Sequence, residues 1–225
     1  MVKIIMRLLL TSNGICNELR SVFLSLITKN PAQLSVAFIT TPAYGEDEDI
    51  GWLEDYRNEL KNLGIVDIED LDLKEKTKEE LKNILEQKDI IFMNGGNTYY
   101  LLKYVRESGF DKLLPQLLNQ GKLYVGVSAG SIILGPSIEL AGWNIGTPDT
   151  NKVNLADLTG LYLVPFSILP HFEENQREAL QQYALQVSYP IYVLTNTQAV
   201  LVEDYRYTLV GIGEKLIFNE LDLKK

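Results

Sequence analysis

The sequence predicts an α/β fold built around a mainly parallel sheet. Strand-like and helix-like segments alternate through residues 3–127, which is the pattern of successive βαβ units. The chain has 225 residues, of which 46% are hydrophobic, enough for a core that needs no disulfides. Two of the predicted strands end in small polar residues, at the edge where ligands bind in open parallel sheets. We expect one domain spanning 1–225.

The first half supplies most of the sheet. Apolar runs predict strands at 3–12, 33–41, 65–73 (a short edge strand), 89–96 and 122–127. Apolar residues at helical spacing predict helices at 16–30, 49–64, 77–88, 97–109 and 110–121. Thr77 and Glu80 have the spacing of a capping box, and Gly64 closes the second helix. Pro115 is a candidate position for a bend or break in the fifth helix.

The second half has a different texture. Residues 135–160 are rich in Gly, Pro, Asn and Asp, which predicts hairpins or an ordered excursion. A strand at 161–172 and a helix at 173–188 follow. Short apolar runs separated by turn residues at 191–218 predict an antiparallel finish.

Charge and cysteine content exclude several function classes. The net charge is −9 and there is no basic stripe, so nucleic acid is not an expected partner. No apolar run reaches the ~20 residues that cross a bilayer, so no membrane partner is expected. The single cysteine, Cys16, fits a reducing cytoplasm. One histidine and scattered carboxylates give no metal-ligand spacing, so neither a metal nor a cofactor is expected.

Ser128 lies in a Gly-x-Ser-x-Gly pattern, between Gly126 and Gly130, directly after a predicted strand. This is the pattern of a nucleophile elbow, where small neighbours let strand and helix pass close together. The backbone N–H of Ala129 is then the expected oxyanion donor. A tight turn without chemistry is the alternative interpretation.

His171, the one histidine of the chain, also follows a predicted strand. It is the candidate base for a serine nucleophile, although a lone histidine is often a packing residue. The pair Gly95-Gly96 precedes Asn97 at the start of a predicted helix. It could supply a second oxyanion N–H, cradle a phosphate, or form a turn with an Asn cap.

Three motifs together resemble the peptidase E family of serine peptidases, which includes aspartyl dipeptidases and is related to cyanophycinase. They are FMNGGNTYYLL, GVSAGSIILGPS and LPHF, in the family's order and spacing. The resemblance implies a three-layer α/β sandwich like class I glutamine amidotransferases (flavodoxin-like). It also implies a peptidase acting on small peptides, with no cofactor. The oligomeric state stays open between monomer and homodimer.

The resemblance also assigns site residues. It implies that Ser128 is the nucleophile, His171 the general base, and Gly96 and Ala129 the oxyanion donors, with Asn97 and Thr98 shaping the substrate loop. The family's acidic triad position falls on Asn196. An asparagine can orient an imidazole but cannot stabilise its cation with a full charge, so a weaker or redirected activity is expected. Asp149 and Glu173 are alternative orienting residues.

Arg177 is the candidate residue for recognition of the substrate's side chain. In aspartate-specific members a basic residue after the histidine segment holds the substrate's acidic side chain, and Arg177 is the nearest match. The segment between His171 and Arg177 is shorter here, so poor Asp-X dipeptidase activity is expected. Two other functions remain open: a catalytically weak homologue acting as a binding or regulatory protein, and a nucleotide- or phosphate-binding protein. The nucleotide- or phosphate-binding alternative is less favoured, because neither motif contains a lysine that could pair with a phosphate.

Overall fold

A computed structural model describes residues 6–46 and 49–220. Residues 3–5 of the first predicted strand lie outside this range. The strands of the described part are β1 (Arg7–Thr11), β2 (Ser35–Ile39), β3 (Asp67–Leu71), β4 (Ile90–Met93), β5 (Leu123–Val127), β6 (Ser167–Leu169), β7 (Ile191–Val193), β8 (Gln198–Glu203), β9 (Arg206–Gly211) and β10 (Leu216–Phe218). The α-helices are α1 (Arg20–Leu26), α2 (Trp52–Asn62), α3 (Lys78–Leu85), α4 (Thr98–Glu107), α5 (Phe110–Asn119), α6 (Ala129–Ile132) and α7 (Arg177–Ala184).

The main sheet has seven strands in the order β3-β2-β4-β5-β1-β8-β9. Strands β1 to β5 run parallel, whereas β8 and β9 form an antiparallel hairpin on the β1 edge. The predicted mainly parallel sheet is confirmed. Thr11 pairs with Val127, and Met93 pairs with Gly126. The residues that follow β1, β4 and β5 therefore emerge side by side at one edge.

Helices cover both faces of this sheet. The inward side chains alternate along each strand: in β1, Leu8 and Leu10 belong to one apolar cluster and Leu9 to the other. Helices α1 and α2 bury Phe23 and Leu53 in the cluster of Leu9. Helices α3 to α7 pack into the cluster of Leu8 and Leu10. The expected three layers are therefore present.

A second, small sheet carries the histidine segment. Strand β7 pairs in parallel with β6, and β10 pairs antiparallel with β7. The predicted antiparallel finish holds for β8 with β9 and for β7 with β10. However, β7 and β10 lie in the small sheet, where β7 also runs parallel to β6. The predicted strand 161–172 shortens to β6, because the N–H groups of Leu161 and Leu163 donate to Ile133 and Leu134 after α6.

Two other elements differ from the sequence prediction, whereas residues 135–160 form the ordered excursion that was one of its two alternatives. The predicted helix 16–30 becomes a 3-10 turn and the seven-residue α1. Pro115 lies inside α5 without breaking it, since four buried leucines anchor that helix: Leu113, Leu114, Leu117 and Leu118. Residues 135–160 form an excursion with a 3-10 turn at Glu139–Gly142 and a single bridge between Ser137 and Thr159. No helix in the described ranges is long and apolar enough to cross a bilayer.

Candidate active site

Ser128 occupies a strained turn between β5 and α6. Its φ of +47° and ψ of −109° are costly for a residue with a Cβ. The turn is tight enough to require its glycines: a Cβ on Gly126 would lie 2.7 Å from the carbonyl oxygen of Gly130, and one on Gly130 would collide with the Met93 carbonyl. The predicted strand-turn-helix geometry is therefore present around Ser128.

Buried hydrogen bonds hold this turn in place. The fully buried hydroxyl of Tyr124 donates to the Gly130 carbonyl at 2.7 Å. Ser131 Oγ donates to the Thr11 carbonyl at 2.8 Å, and the N–H of Ser128 donates to the same carbonyl at 3.1 Å. The strain at Ser128 is thus supported by the surrounding core, as strained functional residues require.

The His171 ring lies between Ser128 and Asn196. Its Nε2 is 3.1 Å from Ser128 Oγ, and its Nδ1 is 2.7 Å from Asn196 Oδ1. Because Oδ1 can only accept, Nδ1 carries the proton and Nε2 is left to accept the serine hydroxyl. The three side chains form a hydrogen-bonded chain of the kind that activates a serine.

Ser12, which sequence analysis missed, fixes the backbone of His171. Its Oγ accepts the N–H of His171 at 2.8 Å and lies 3.4 Å from Asn196 Oδ1. Ser12 is fully buried, and His171 has a left-handed φ of +56°, a conformation that needs such support. The available signal was its position directly after β1, at the edge where polar residues collect.

Neither alternative orienting residue contacts His171 Nδ1. Asp149 Oδ2 instead accepts the N–H of Thr98 at 2.7 Å. Burial raises the pKa of Asp149, while the Thr98 hydrogen bonds and His171 act in the opposite direction. The Glu173 carboxylate accepts the N–H of Gln176 at the start of the turn before α7. Of the three candidates, Asn196 is the one whose side chain contacts His171 Nδ1.

The loop between β4 and α4 places Gly96 beside Ser128. Gly96 has φ +120°, and a Cβ there would collide with the Pro42 carbonyl. A Cβ on Gly95 would lie 3.2 Å from that of Ser128, so the loop runs against the nucleophile. Ala129 begins α6 on the other side. Gly96 thus lines the same cleft as Ser128, and Ala129 follows Ser128 directly in the chain.

Asn97 and Thr98 anchor that loop. Asn97 caps α4 by accepting the N–H of Tyr100 at 3.0 Å, and its Nδ2 donates to the Thr150 carbonyl at 3.0 Å. The N–H of Thr98 is held by Asp149. These bonds tie the Gly96 loop to the excursion at 135–160, which agrees with a loop-shaping role.

Ser128 opens into a cleft with two lobes. The larger lobe, about 760 Å³, is bounded by residues of the 135–160 excursion, the segment after His171 and α7. The smaller lobe, about 320 Å³, is bounded by Trp52, Tyr56, the Gly95–Asn97 loop and residues 147–152 of the excursion, which include Lys152. Ser128, His171 and Gly96 line both lobes, so a carbonyl at the serine would have room on either side.

Residues 8–210 match Peptidase family S51. The chain belongs to this family. It is 34% identical over 175 residues to an uncharacterized peptidase of Listeria monocytogenes, covering 75% of this chain and 82% of that protein. It is 29% identical over 149 residues to peptidase E of Haemophilus influenzae, covering 62% and 61% of the two chains. A 1.5 Å crystal structure of a candidate peptidase E protein from L. monocytogenes aligns with TM-score 0.78 and 28% identity, covering 93% of this chain and 100% of that one.

These matches confirm the resemblance to peptidase E, the α/β fold and the class of serine peptidase. The matches do not assign roles to individual residues. Within this S51 chain, Ser128, His171 and Asn196 lie in one hydrogen-bonded row, with Gly96 and Ala129 beside it.

Arg177 is the one predicted site residue that the structure does not bring to the cleft. Its guanidinium pairs with Glu174 at 2.9 Å and Glu214 at 2.6 Å and lies 5.9 Å from the Phe172 ring centroid. Neither lobe has Arg177 in its lining. Its substrate-binding role stays a prediction that these contacts do not support.

Proposed function

We propose that this S51 peptidase hydrolyses amide bonds of small peptides through Ser128, His171 and Asn196, with an acyl-enzyme intermediate. The single observation that carries the proposal is the hydrogen-bonded row: 3.1 Å from Ser128 Oγ to His171 Nε2 and 2.7 Å from Nδ1 to Asn196. Both distances are within the reach that proton transfer needs.

In the first half-reaction, Ser128 Oγ attacks the carbonyl carbon while its proton passes to His171 Nε2. The carbonyl oxygen becomes an oxyanion, whose stabilisation we assign to the N–H groups of Gly96 and Ala129. When the C–N bond breaks, His171 returns the proton to the leaving amine. The acyl group then remains on Ser128.

In the second half-reaction, a water replaces the amine. The water oxygen attacks the acyl carbon while His171 takes a proton from the water. The tetrahedral intermediate then collapses and releases the carboxylic acid. The proton returns to Ser128 Oγ. The two lobes on either side of Ser128 give space for the acyl group and for the leaving amine.

We expect Asn196 to limit the rate of acylation. Its Oδ1 fixes the ring orientation and tautomer of His171, but a neutral amide stabilises the imidazolium less than a carboxylate does. We therefore expect slower acylation than in a chain with an acid at this position. We also expect weak cleavage of Asp-X dipeptides, because the guanidinium of Arg177 is turned to Glu174 and Glu214.

A fluorophosphonate probe tests the nucleophile directly. Labelling is expected on Ser128 and is expected to disappear in Ser128→Ala and His171→Gln. Ser108→Ala is the matched control, since Ser108 is a buried serine at the C-terminal end of α4 and lines neither lobe; it should keep the label. An unlabelled Ser128 in a folded protein would instead support the catalytically weak binding homologue.

A further inference from the structure

We propose that the larger lobe of the cleft accepts an uncharged, apolar side chain beside the scissile bond and rejects a carboxylate there. This rests on the proposed function, because it takes Ser128 as the point of attack. It deepens that function by naming the substrate class and the residues that select it.

One part of the wall of the larger lobe is apolar, beside a larger polar part. Six aliphatic side chains line it: Ile132, Leu140, Ala141, Ile145, Leu169 and Ala179. Ile132, Leu140 and Leu169 are at least 95% buried and belong to the core cluster behind the cleft. These walls are consequently fixed by packing, and burying an aliphatic substrate side chain against them is favourable.

The charged side chains of this lobe have one sign. Apart from His171, its ionisable lining residues are Glu46, Asp149 and Glu173, and no lysine or arginine occurs among the described residues that line it. A substrate carboxylate would lose water and meet a lining whose carboxylates carry the same charge, which is unfavourable in a partly enclosed site. The neutral polar part of the lining consists of the amides of Asn144, Asn175 and Gln176 and the hydroxyls of Thr98, Ser128 and Thr147.

The nearest arginine in sequence does not compensate for this charge. Arg177 begins α7, yet its guanidinium is held by carboxylates on two sides, Glu174 and Glu214. Glu214 lies in the segment after β9, so this pairing is a tertiary contact that draws Arg177 away from the lobe. The nearest sequence match to the family's basic residue thus lies outside the larger lobe.

Kinetics with three dipeptides test the selectivity. Leu-Leu is expected to have a kcat/KM at least tenfold above that of either Asp-Leu or Leu-Asp, whichever places its aspartate in the larger lobe. Equal values for all three dipeptides would overturn the proposal.

A lysine introduced into the larger lobe tests whether the selectivity arises there. Ala179→Lys, on the lobe side of α7, should raise kcat/KM for the disfavoured aspartyl dipeptide at least fivefold. Ala179→Met controls for side-chain length, and Gln181→Lys places the same charge on α7 outside the lobe; neither should change the ratio. Discrimination that persists unchanged in Ala179→Lys would show that it arises elsewhere and would overturn the proposal.

Binding to Ser128→Ala separates this proposal from the proposed function. Calorimetry with the same dipeptides is expected to show tenfold tighter binding of Leu-Leu than of the disfavoured aspartyl dipeptide. If Ser128→Ala shows this binding preference but the parent protein does not hydrolyse the dipeptides, the proposed hydrolysis is refuted and the selectivity of the lobe is supported. Turnover without any preference in Ser128→Ala would refute the selectivity alone.

Discussion

Asn196 Oδ1 lies 2.7 Å from His171 Nδ1, so an amide stands where a serine triad usually has a carboxylate. Asn196→Asp should raise kcat about tenfold or more, because a carboxylate stabilises the imidazolium that forms during attack. The kcat of Asn196→Ala should be lower than that of the parent protein. Asn144→Asp adds the same charge within the cleft but away from His171 Nδ1 and should not raise kcat. A slower Asn196→Asp would contradict this account.

Ser12 positions His171 through its backbone. Ser12→Ala leaves the N–H of His171 without its 2.8 Å acceptor, which should cost about 1–3 kcal/mol of stability. It should also lower kcat and the rate of fluorophosphonate labelling while KM changes little. Ser167→Ala removes another buried serine hydrogen bond, to the Ser137 carbonyl, and should affect stability only. If both variants keep full kcat, Ser12 has only a structural role.

Gly96 has a backbone that no other residue fits without movement. Gly96→Ala would bring a Cβ into the Pro42 carbonyl at φ +120°, shifting the loop and its N–H. Loss of one oxyanion donor lowers kcat by about 10²–10³-fold. Gly109→Ala is the control: it also has a positive φ, +73°, but its Cβ would meet only the Lys78 side chain. It should lower the unfolding temperature and keep kcat, whereas unchanged kcat in Gly96→Ala would exclude Gly96 as a donor.

Asp149 should make stability depend on pH in an unusual direction. Burial raises its pKa from an ordinary value near 3.8, so the native state binds the proton more tightly than the unfolded state. Its contribution is present below that value and is lost as the pH rises through the higher native pKa. Asp149→Asn keeps an acceptor for Thr98 and should therefore gain stability over the parent from about pH 4 upward.

Thermal unfolding across a pH series measures this effect. Asp157→Asn is a control of opposite sign, since the Thr159 hydrogen bonds lower the pKa of Asp157. It should lose stability relative to the parent towards neutral pH and match it in acid. A parallel response of the two variants would refute the interpretation of Asp149.

The sequence by itself determined the elements of this chemistry. The spacing Gly126, Ser128, Gly130 after an apolar run specifies the elbow locally, because only small residues permit the close approach of Met93 and the strand. The alternation of segments likewise predicted the parallel sheet, whose strand ends bring Ser12, Gly96 and Ser128 to one edge. The lone histidine after a predicted strand gave His171 as the candidate base, and the family resemblance added Asn196.

Only the tertiary structure decided which polar groups pair. Ser12 reaches His171 across 159 residues, Asp149 binds Thr98 rather than the imidazole, and Arg177 turns to Glu214 rather than to the cleft. Local sequence cannot specify these contacts, since a polar side chain bonds with whichever complementary group the packing of distant elements places within about 3 Å. The same packing, through β7 and the small sheet, sets the 3.1 Å between His171 and Ser128.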